Sequence, residues 1–209
     1  MQIIQFGDEG QVATRELLAR HGSRVNDELR GYLKTFESID RQHGGSGALP
    51  LEDAADLVAA ALVAAGDDAD LTLGIALWAM RHEVEIRVAE PVANALAMRS
   101  NAAASKQELA AVFGLMQGLI AHVSPWLCAD LERSNPERPW RLLHANFAIT
   151  AIRTEDPALM DHAFDALDAA LPDERASFYA EAMALALGPR IAPAVRERIE
   201  ARHLHWTRQ

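Results

Sequence analysis

The chain has 209 residues, of which 50% are hydrophobic and 6% aromatic, with a formal net charge of −10 and a pI near 5.2. A chain of this length supports one good-sized core or at most two small domains, and its hydrophobic content excludes a disordered protein. Acidic residues are spread along the chain and no basic stripe is present, which argues against binding to nucleic acid or to an anionic membrane surface.

The composition predicts helices rather than strands, because alanine and leucine outnumber the β-branched and aromatic residues. The one cysteine, Cys128, permits no disulfide within the chain. The first residues show no basic region followed by a long apolar run, so no signal peptide is predicted. The longest nearly apolar run, residues 57–66, is about half as long as a membrane span. These features predict a cytoplasmic protein without membrane insertion.

Two helices are predicted before residue 41. The first lies within residues 12–22, and the second places its apolar residues on one helical face. The segment RQHGGSGA at 41–48 then contains three glycines and a serine, a composition typical of a linker. We therefore predict three parts in chain order: an N-terminal helical pair over 1–40, a flexible linker over 41–50 and a helical-repeat-like domain over 51–209.

From residue 51 onward the pattern predicts one helix after another, separated by short joints. Gly66 ends one helix, and the acidic run at 67–70 begins the next. Ser105 and Glu108 match the S-x-x-E capping box, in which each side chain binds the other residue's backbone N–H. A later helix begins where Pro157 follows a capping aspartate.

Residues 83–91 are the least clear segment. Val84, Ile86 and Val88 alternate with charged residues, which is typical of a strand. Paired with the apolar residues at the start of the chain, this segment would form one minor two-stranded element. We favour a helix kinked at Pro91, because an isolated pair of strands is only marginally stable, and we keep the strand pair as the alternative.

The segment 124–148 contains two tryptophans, the cysteine and a histidine, and raises the question whether it lines a site. Local signals favour a joint between helices. Ser124 precedes a proline and is predicted to cap a short helix through Leu131, after which the chain restarts at a second cap and proline. Trp140 and His144 then share a helical face, which we interpret as packed into the core.

Short joints between successive helices place neighbouring helices antiparallel. The segments beginning at Leu51 and Leu159 look alike, since each has an apolar helix, a short acidic joint and a second apolar helix. Over 51–205 this packing style resembles α-solenoids of the HEAT and tetratricopeptide kind, although the full tetratricopeptide signature is not met. The resemblance transfers no functional residues. The predicted fold is all-α, with antiparallel helical hairpins stacked as a short irregular α-solenoid or an orthogonal bundle.

One candidate metal site is visible in the sequence. Asp161, His162 and Asp165 share one helical face, and two carboxylates with an imidazole suit a divalent ion. We favour a solvated polar face here, because no second cluster of ligands accompanies the three residues. No G-x-S-x-G, P-loop or G-x-G-x-x-G motif occurs, and we expect no cofactor.

Two further candidates involve the thiol and a row of small residues. Cys128 would be a nucleophile if His122 or His144 approached it, but cysteine is among the most often buried residue types, so a packed thiol is favoured. Gly114, Gly118 and His122 follow one another at four-residue spacing, which leaves a groove along the helix. A neighbouring helix is the favoured occupant of that groove, and a small ligand, with His144 nearby, is the alternative.

These observations lead us to expect a non-catalytic helical scaffold or adaptor, or an accessory subunit, that binds another protein, because stacked helical pairs form concave faces. The acidic surface favours a partner with a basic or amphipathic segment, and neither nucleic acid nor membrane insertion is expected. The alternative is a small helical enzyme, dependent on a metal or a ligand, that uses the acidic cluster or the thiol described above. The predicted partner-binding residues are Trp126, Arg138, Arg141 and Trp206.

Overall fold

The structure is a computed structural model, and it describes residues 25–50, 52–131, 133–186 and 191–207. Within these ranges the chain forms ten helices and no strand, which confirms the predicted all-α fold class. None of these helices has the length and apolar character needed to cross a bilayer. The helices are α1 (Asp27–His43), α2 (Ala54–Ala65), α3 (Ala69–Arg81), α4 (Glu90–Ala102), α5 (Lys106–Ile120), α6 (Pro125–Cys128), α7 (Pro139–Thr154), α8 (Pro157–Ala170), α9 (Arg175–Ala186) and α10 (Pro193–Thr207).

The chain divides into two compact units. Unit 1 consists of Met1–Arg99 and Gly118–Leu131. Unit 2 consists of Ser100–Gln117 and Glu132–Gln209. The helix predicted within the first 22 residues lies outside the described part of the chain.

The predicted linker at 41–50 begins inside a helix, because α1 continues through His43. Beyond the helix, two hydrogen bonds join the glycine-rich segment to the end of α3. The N–H of Gly47 donates to the carbonyl of Arg81 at 2.8 Å, and the Arg81 guanidinium donates to the carbonyl of Gly45 at 2.8 Å. The division of the chain into domains at this segment stays a prediction.

In unit 1, α1 begins and ends as its sequence dictates. The side chain of Asn26 accepts a hydrogen bond from the N–H of Leu29 at 2.7 Å and so caps the first turn. Gly44 ends the helix in the left-handed conformation, with φ of 81°, which glycine adopts without steric cost. Between these caps the apolar face is buried, and Phe36 stacks on Trp78 of α3 with ring centroids 4.2 Å apart.

Asp40 forms the polar centre of unit 1, although its side chain is almost completely buried. Its Oδ1 accepts hydrogen bonds from Trp78 Nε1 at 2.8 Å and from His82 Nε2 at 2.7 Å. The buried guanidinium of Arg81 lies 3.5 Å from its Oδ2. His82 Nδ1 lies 3.2 Å from the Gly47 carbonyl, so both ring nitrogens of this buried side chain lie within hydrogen-bond distance of an oxygen atom.

The helix favoured over 83–91 is wrong. Glu83, with φ of 54°, turns the chain out of α3, and α4 begins only at Glu90. Between them the N–H of Ile86 donates to His122 O at 2.7 Å, and the N–H of Ser124 donates to Ile86 O at 3.0 Å. This isolated parallel bridge satisfies the extended backbone, and Ile86 is fully buried.

The segment after α5 also differs from its prediction. The short helix α6 ends at Cys128 rather than at Leu131, because Asp130 adopts the left-handed conformation with φ of 48°. The side chain of Ser124 makes no capping hydrogen bond, and only its backbone carbonyl accepts bonds from the first turn. In unit 2 the chain resumes with α7, which begins at Pro139 as the proline pattern allows.

At two of the predicted helix starts in unit 2, the predicted capping residue forms its hydrogen bond to the first turn. Asp156 Oδ1 accepts from the N–H groups of Ala158 and Leu159, at 2.8 and 3.2 Å, and caps α8. Ser105 Oγ accepts from the N–H of Glu108 at 3.2 Å, as the capping box requires. The reciprocal bond is shifted by one residue, because the Glu108 carboxylate accepts from Ala104 N–H.

Asp168 is the buried carboxylate of unit 2 and joins three helices. From α8, its Oδ1 accepts a hydrogen bond from the hydroxyl of Tyr179 in α9 at 3.0 Å. Its Oδ2 accepts from Arg202 in α10 at 2.6 Å. Burial first, and the neighbouring negative charge of Asp168 second, raise the pKa of the Tyr179 phenol, so the hydroxyl stays protonated and donates.

We expect the substitution Asp40→Asn to lower the free energy of unfolding by about 3 kcal/mol, because it leaves a buried guanidinium and imidazole without their carboxylate. Urea unfolding of the full chain measures this change. Asp56→Asn is the matched control, since Asp56 is exposed and pairs with the exposed Arg87. Equal losses in the two variants would show that Asp40 has no special structural role.

Candidate functional site

The predicted metal ligands on α8 are engaged by arginines. Both oxygens of Asp161 accept hydrogen bonds from Arg198, at 2.8 and 2.7 Å, and Asp165 pairs with Arg202. His162 is exposed on the same helix. Across the described residues no group of three His, Cys, Asp or Glu side chains is arranged to hold a metal ion. This face is in contact with water, as the favoured interpretation expects, since the Asp165 side chain is 71% exposed, and its two carboxylates also form ion pairs with arginines of α10.

The row of small residues on α5 is partly explained by packing. A Cβ atom placed on Gly118 would lie 2.7 Å from the sulfur of Met80, so this α3 side chain occupies the groove at that position. The ring of His122 forms a hydrogen bond with the carbonyl of Gly118 at 2.8 Å. A Cβ on Gly114 would meet no atom within 4 Å. At Gly118 the groove is therefore filled by a neighbouring helix, which is the occupant that we favoured from the sequence.

Cys128 lies at the end of α6, where its thiol donates a weak hydrogen bond to the carbonyl of Val123 at 3.7 Å. The residue is exposed, and the packed thiol favoured from the sequence is therefore wrong. Partial removal of the sulfur from water raises the pKa of the thiol, and its own backbone N–H offsets this only in part. The nucleophilic form of cysteine is the thiolate, so this environment opposes a catalytic role.

The four predicted partner-binding residues have different environments. Trp126 is exposed over 66% of its surface and stays a candidate. Arg138 is buried and pairs with Glu174, which Arg141 also binds. This placement does not favour a role for Arg138 at a partner surface, since an acidic side chain of the same unit holds its charge. Trp206 is half-buried at the end of α10.

His144, the remaining residue of the predicted ligand groove, is buried in α7 beside Trp140. The two rings meet edge to face with centroids 4.3 Å apart. Trp140 is itself half-buried, and its Nε1 atom is shielded from water. This arrangement agrees with the interpretation of the pair as part of the packing of unit 2.

An open cleft of about 580 Å³ lies among α2, α3 and α4 of unit 1, and we call it the unit 1 cleft. Its volume falls in the range of about 300–1,000 Å³ that is usual for binding sites. Apolar residues of all three helices contribute to it, and no lysine or arginine is among its described lining residues. Its lining includes Leu62, Val63, Asp67, Glu90, Asn94 and Met98.

The local sequence explains how the cleft forms. Gly66 ends α2 with φ of 58°, and Asp68 then caps α3 by accepting from the N–H groups of Asp70 and Leu71 at 3.1 Å. This tight turn brings the last turn of α2 close to the first turn of α3. Val63, in that last turn, therefore lies on the cleft wall and is 66% exposed.

Large apolar side chains remain in contact with water at the cleft. Met98 of α4 is 56% exposed there, in addition to Val63. A single exposed apolar residue is ordinary, whereas Val63 and Met98 share one concave surface. Methionine adds adaptability, because its unbranched side chain adjusts to differently shaped partners.

The charges at the cleft are negative and unpaired. Asp67 and Glu90 are exposed, and neither forms an ion pair with any described residue. Two nearby carboxylates of unit 1, in contrast, are paired: Asp56 binds Arg87, and Asp70 binds Arg99. The cleft therefore combines an apolar wall with two carboxylates available to a cation.

Sequence reasoning did not identify this cleft. Val63 belongs to a run of alanines and other apolar residues in which every position looks suitable for a core. The packed structure shows which face of α2 points inward. It buries Leu62 and Val58 completely and leaves Val63 facing outward. Glu90 lies within the segment 83–91, in which the helix was predicted to begin earlier than it does.

Comparison of the chain with protein-family models, with curated proteins and with solved structures gave no match.

We expect alkylation of Cys128 by iodoacetamide to be slow at neutral pH, because its raised pKa keeps the thiol protonated. The rate should rise with pH through a midpoint above that of a cysteine in an unstructured peptide measured alongside. Mass spectrometry follows the reaction, since the chain has one cysteine. A midpoint below that of the peptide would instead indicate an activated thiolate and would support Cys128 as a catalytic nucleophile.

Proposed function

We propose that this protein is a non-catalytic helical adaptor that binds a basic amphipathic segment of another protein in the unit 1 cleft. The observation that carries the proposal is the juxtaposition of exposed Val63 and Met98 with the unpaired carboxylates of Asp67 and Glu90. The exposed apolar side chains do not pack into the core, and the two carboxylates form no ion pair with a described residue. Neither feature is therefore explained by the stability of the fold.

The apolar wall supports binding to the apolar face of a helix. Covering Val63 and Met98 removes their side chains from water, and full burial of such a side chain is worth about 1.5–3 kcal/mol. Helices that bind in grooves present apolar anchors spaced by three or four residues. Leu62 lies at the base of the cleft and is completely buried, so an anchor would rest on the existing core.

The carboxylates support a basic partner. A lysine or arginine next to the apolar face of the bound helix would reach Asp67 or Glu90, and the formal charge of −10 on the whole chain attracts such a segment over a distance. Exposed ion pairs contribute little affinity, but they accelerate association and disfavour acidic competitors. The charge thus selects the partner, while the apolar wall supplies most of the affinity.

A labelled amphipathic peptide tests the proposal. The probe is a helical peptide with leucines on one face and lysines beside them, and its matched control replaces every lysine with glutamate. Fluorescence anisotropy should show binding of the lysine peptide, weakened by added salt, and weaker binding of the glutamate peptide. Equal binding of the two peptides would exclude the cleft charges as the basis of recognition.

Variants locate the binding site. We expect the double substitution Asp67→Asn with Glu90→Gln to weaken binding of the lysine peptide about fivefold, and Val63→Ser to weaken it about tenfold. The matched control is Glu52→Gln with Asp53→Asn, which removes two exposed charges of unit 1 outside the cleft lining. If the control weakens binding as much as the cleft variant, the peptide binds to the acidic surface in general and the proposed site is wrong.

A further inference from the structure

Unit 2 contains a smaller and more apolar cavity, formed by α7, α9 and α10 together with Ile191, which we call the unit 2 groove. It is partly open to solvent, and its volume is about 240 Å³. Leu185 and Ile149 border it and are 78% and 45% exposed, so apolar surface is again left in contact with water. Phe178, Ala182, Glu181 and Arg153 also line the groove.

The volume of the groove indicates the size of its occupant. Drug-sized ligands occupy about 300–1,000 Å³, which is larger than this groove. An apolar cavity of about 150 Å³ is enough to hold benzene, with its six carbon atoms. The unit 2 groove therefore matches an aliphatic chain of about six to eight carbon atoms.

Arg153 gives the groove a fixed positive charge. Its Nη1 donates to the carbonyl of Ser100 at 2.7 Å and to Ser100 Oγ at 3.0 Å. Ser100 Oγ is itself buried and forms a hydrogen bond with Thr150 Oγ1 at 2.8 Å. The guanidinium is thus held in place from one side, so little side-chain entropy remains to be lost when a ligand binds.

The opposite edge of the Arg153 guanidinium is available. Its Nε–H and Nη2–H groups point along the same edge, and no described residue accepts a hydrogen bond from either. Two parallel N–H groups of this kind match the two oxygens of a carboxylate. A carboxylate there would complete the hydrogen bonding of a side chain that lines an otherwise apolar groove.

We propose that the unit 2 groove binds a short aliphatic carboxylate, with its chain along Ile149, Phe178 and Ala182 and its carboxylate on the available edge of Arg153. This site lies within unit 2 and is independent of the partner-binding function proposed for the unit 1 cleft. Glu181 also lines the groove, and its charge opposes an anion, so the ligand carboxylate lies at the Arg153 end.

A series of four ligands tests the charge and the chain separately. Isothermal titration of the full chain with hexanoate, octanoate, octan-1-ol and octylammonium should give the tightest binding for octanoate. Two additional methylenes should raise the affinity of octanoate over hexanoate by about fifteenfold, and its charge should favour it over the alcohol by about tenfold. Tighter binding of octylammonium than of octanoate would show that Glu181 sets the preference, and the proposal would be wrong.

Substitutions place the ligand in the groove. Arg153→Gln should weaken octanoate about tenfold while leaving octan-1-ol unchanged. The control Arg133→Gln removes an exposed charge of unit 2 that pairs with Asp173, and it should change neither. Ala182→Phe fills the groove and should abolish binding of both ligands, with Arg153 intact. Octanoate binding that survives Ala182→Phe overturns the proposal, even if Arg153→Gln fails to fold.

Discussion

A buried carboxylate that accepts a hydrogen bond from an aromatic side chain organises each of the two units. In unit 1, Asp40 accepts from the indole of Trp78, and in unit 2, Asp168 accepts from the hydroxyl of Tyr179. An arginine completes each cluster. Many of the packed faces consist of alanine, whose small side chain fixes the rotation of a helix only weakly. A directional hydrogen bond between two helices fixes their relative position, which alanine faces alone do not. We infer that this is why the two carboxylates are buried despite the cost of removing them from water.

The two clusters also position the surfaces to which we assign binding. Asp40 holds α3 against α1, and the first turn of α3 forms part of the unit 1 cleft. Tyr179 lies one helical turn before Ala182 on α9, so its bond to Asp168 fixes the face of α9 that lines the unit 2 groove. In each unit, therefore, a helix held by the buried polar group also contributes residues to the binding surface. A rigid helix of this kind presents a binding surface with little loss of entropy.

Local sequence signals predicted most of the helices correctly. The predictions were wrong where contacts between residues distant in sequence determine the structure. Gly66 and Asp156 act through backbone groups within four residues, and both were identified as helix boundaries. Ile86 was assigned wrongly to a helix, because its backbone partners lie more than thirty residues away in the chain. Arg138 was placed on a surface, but it is held by a glutamate 36 residues later. The exposure of Val63 depends on how α2 packs, which no local pattern encodes.

A double-mutant cycle between Asp168 and Tyr179 measures the interaction on which this organisation depends. Tyr179→Phe removes only the hydroxyl, and Asp168→Asn removes the charge while keeping the size of the side chain. Urea unfolding of the full chain, of both single variants and of the double variant gives the coupling free energy. A coupling of about 1 kcal/mol or more is expected if the carboxylate and the hydroxyl hold α8 and α9 in register. Effects that add to within about 0.3–0.5 kcal/mol would contradict it, because independent sites behave in that way.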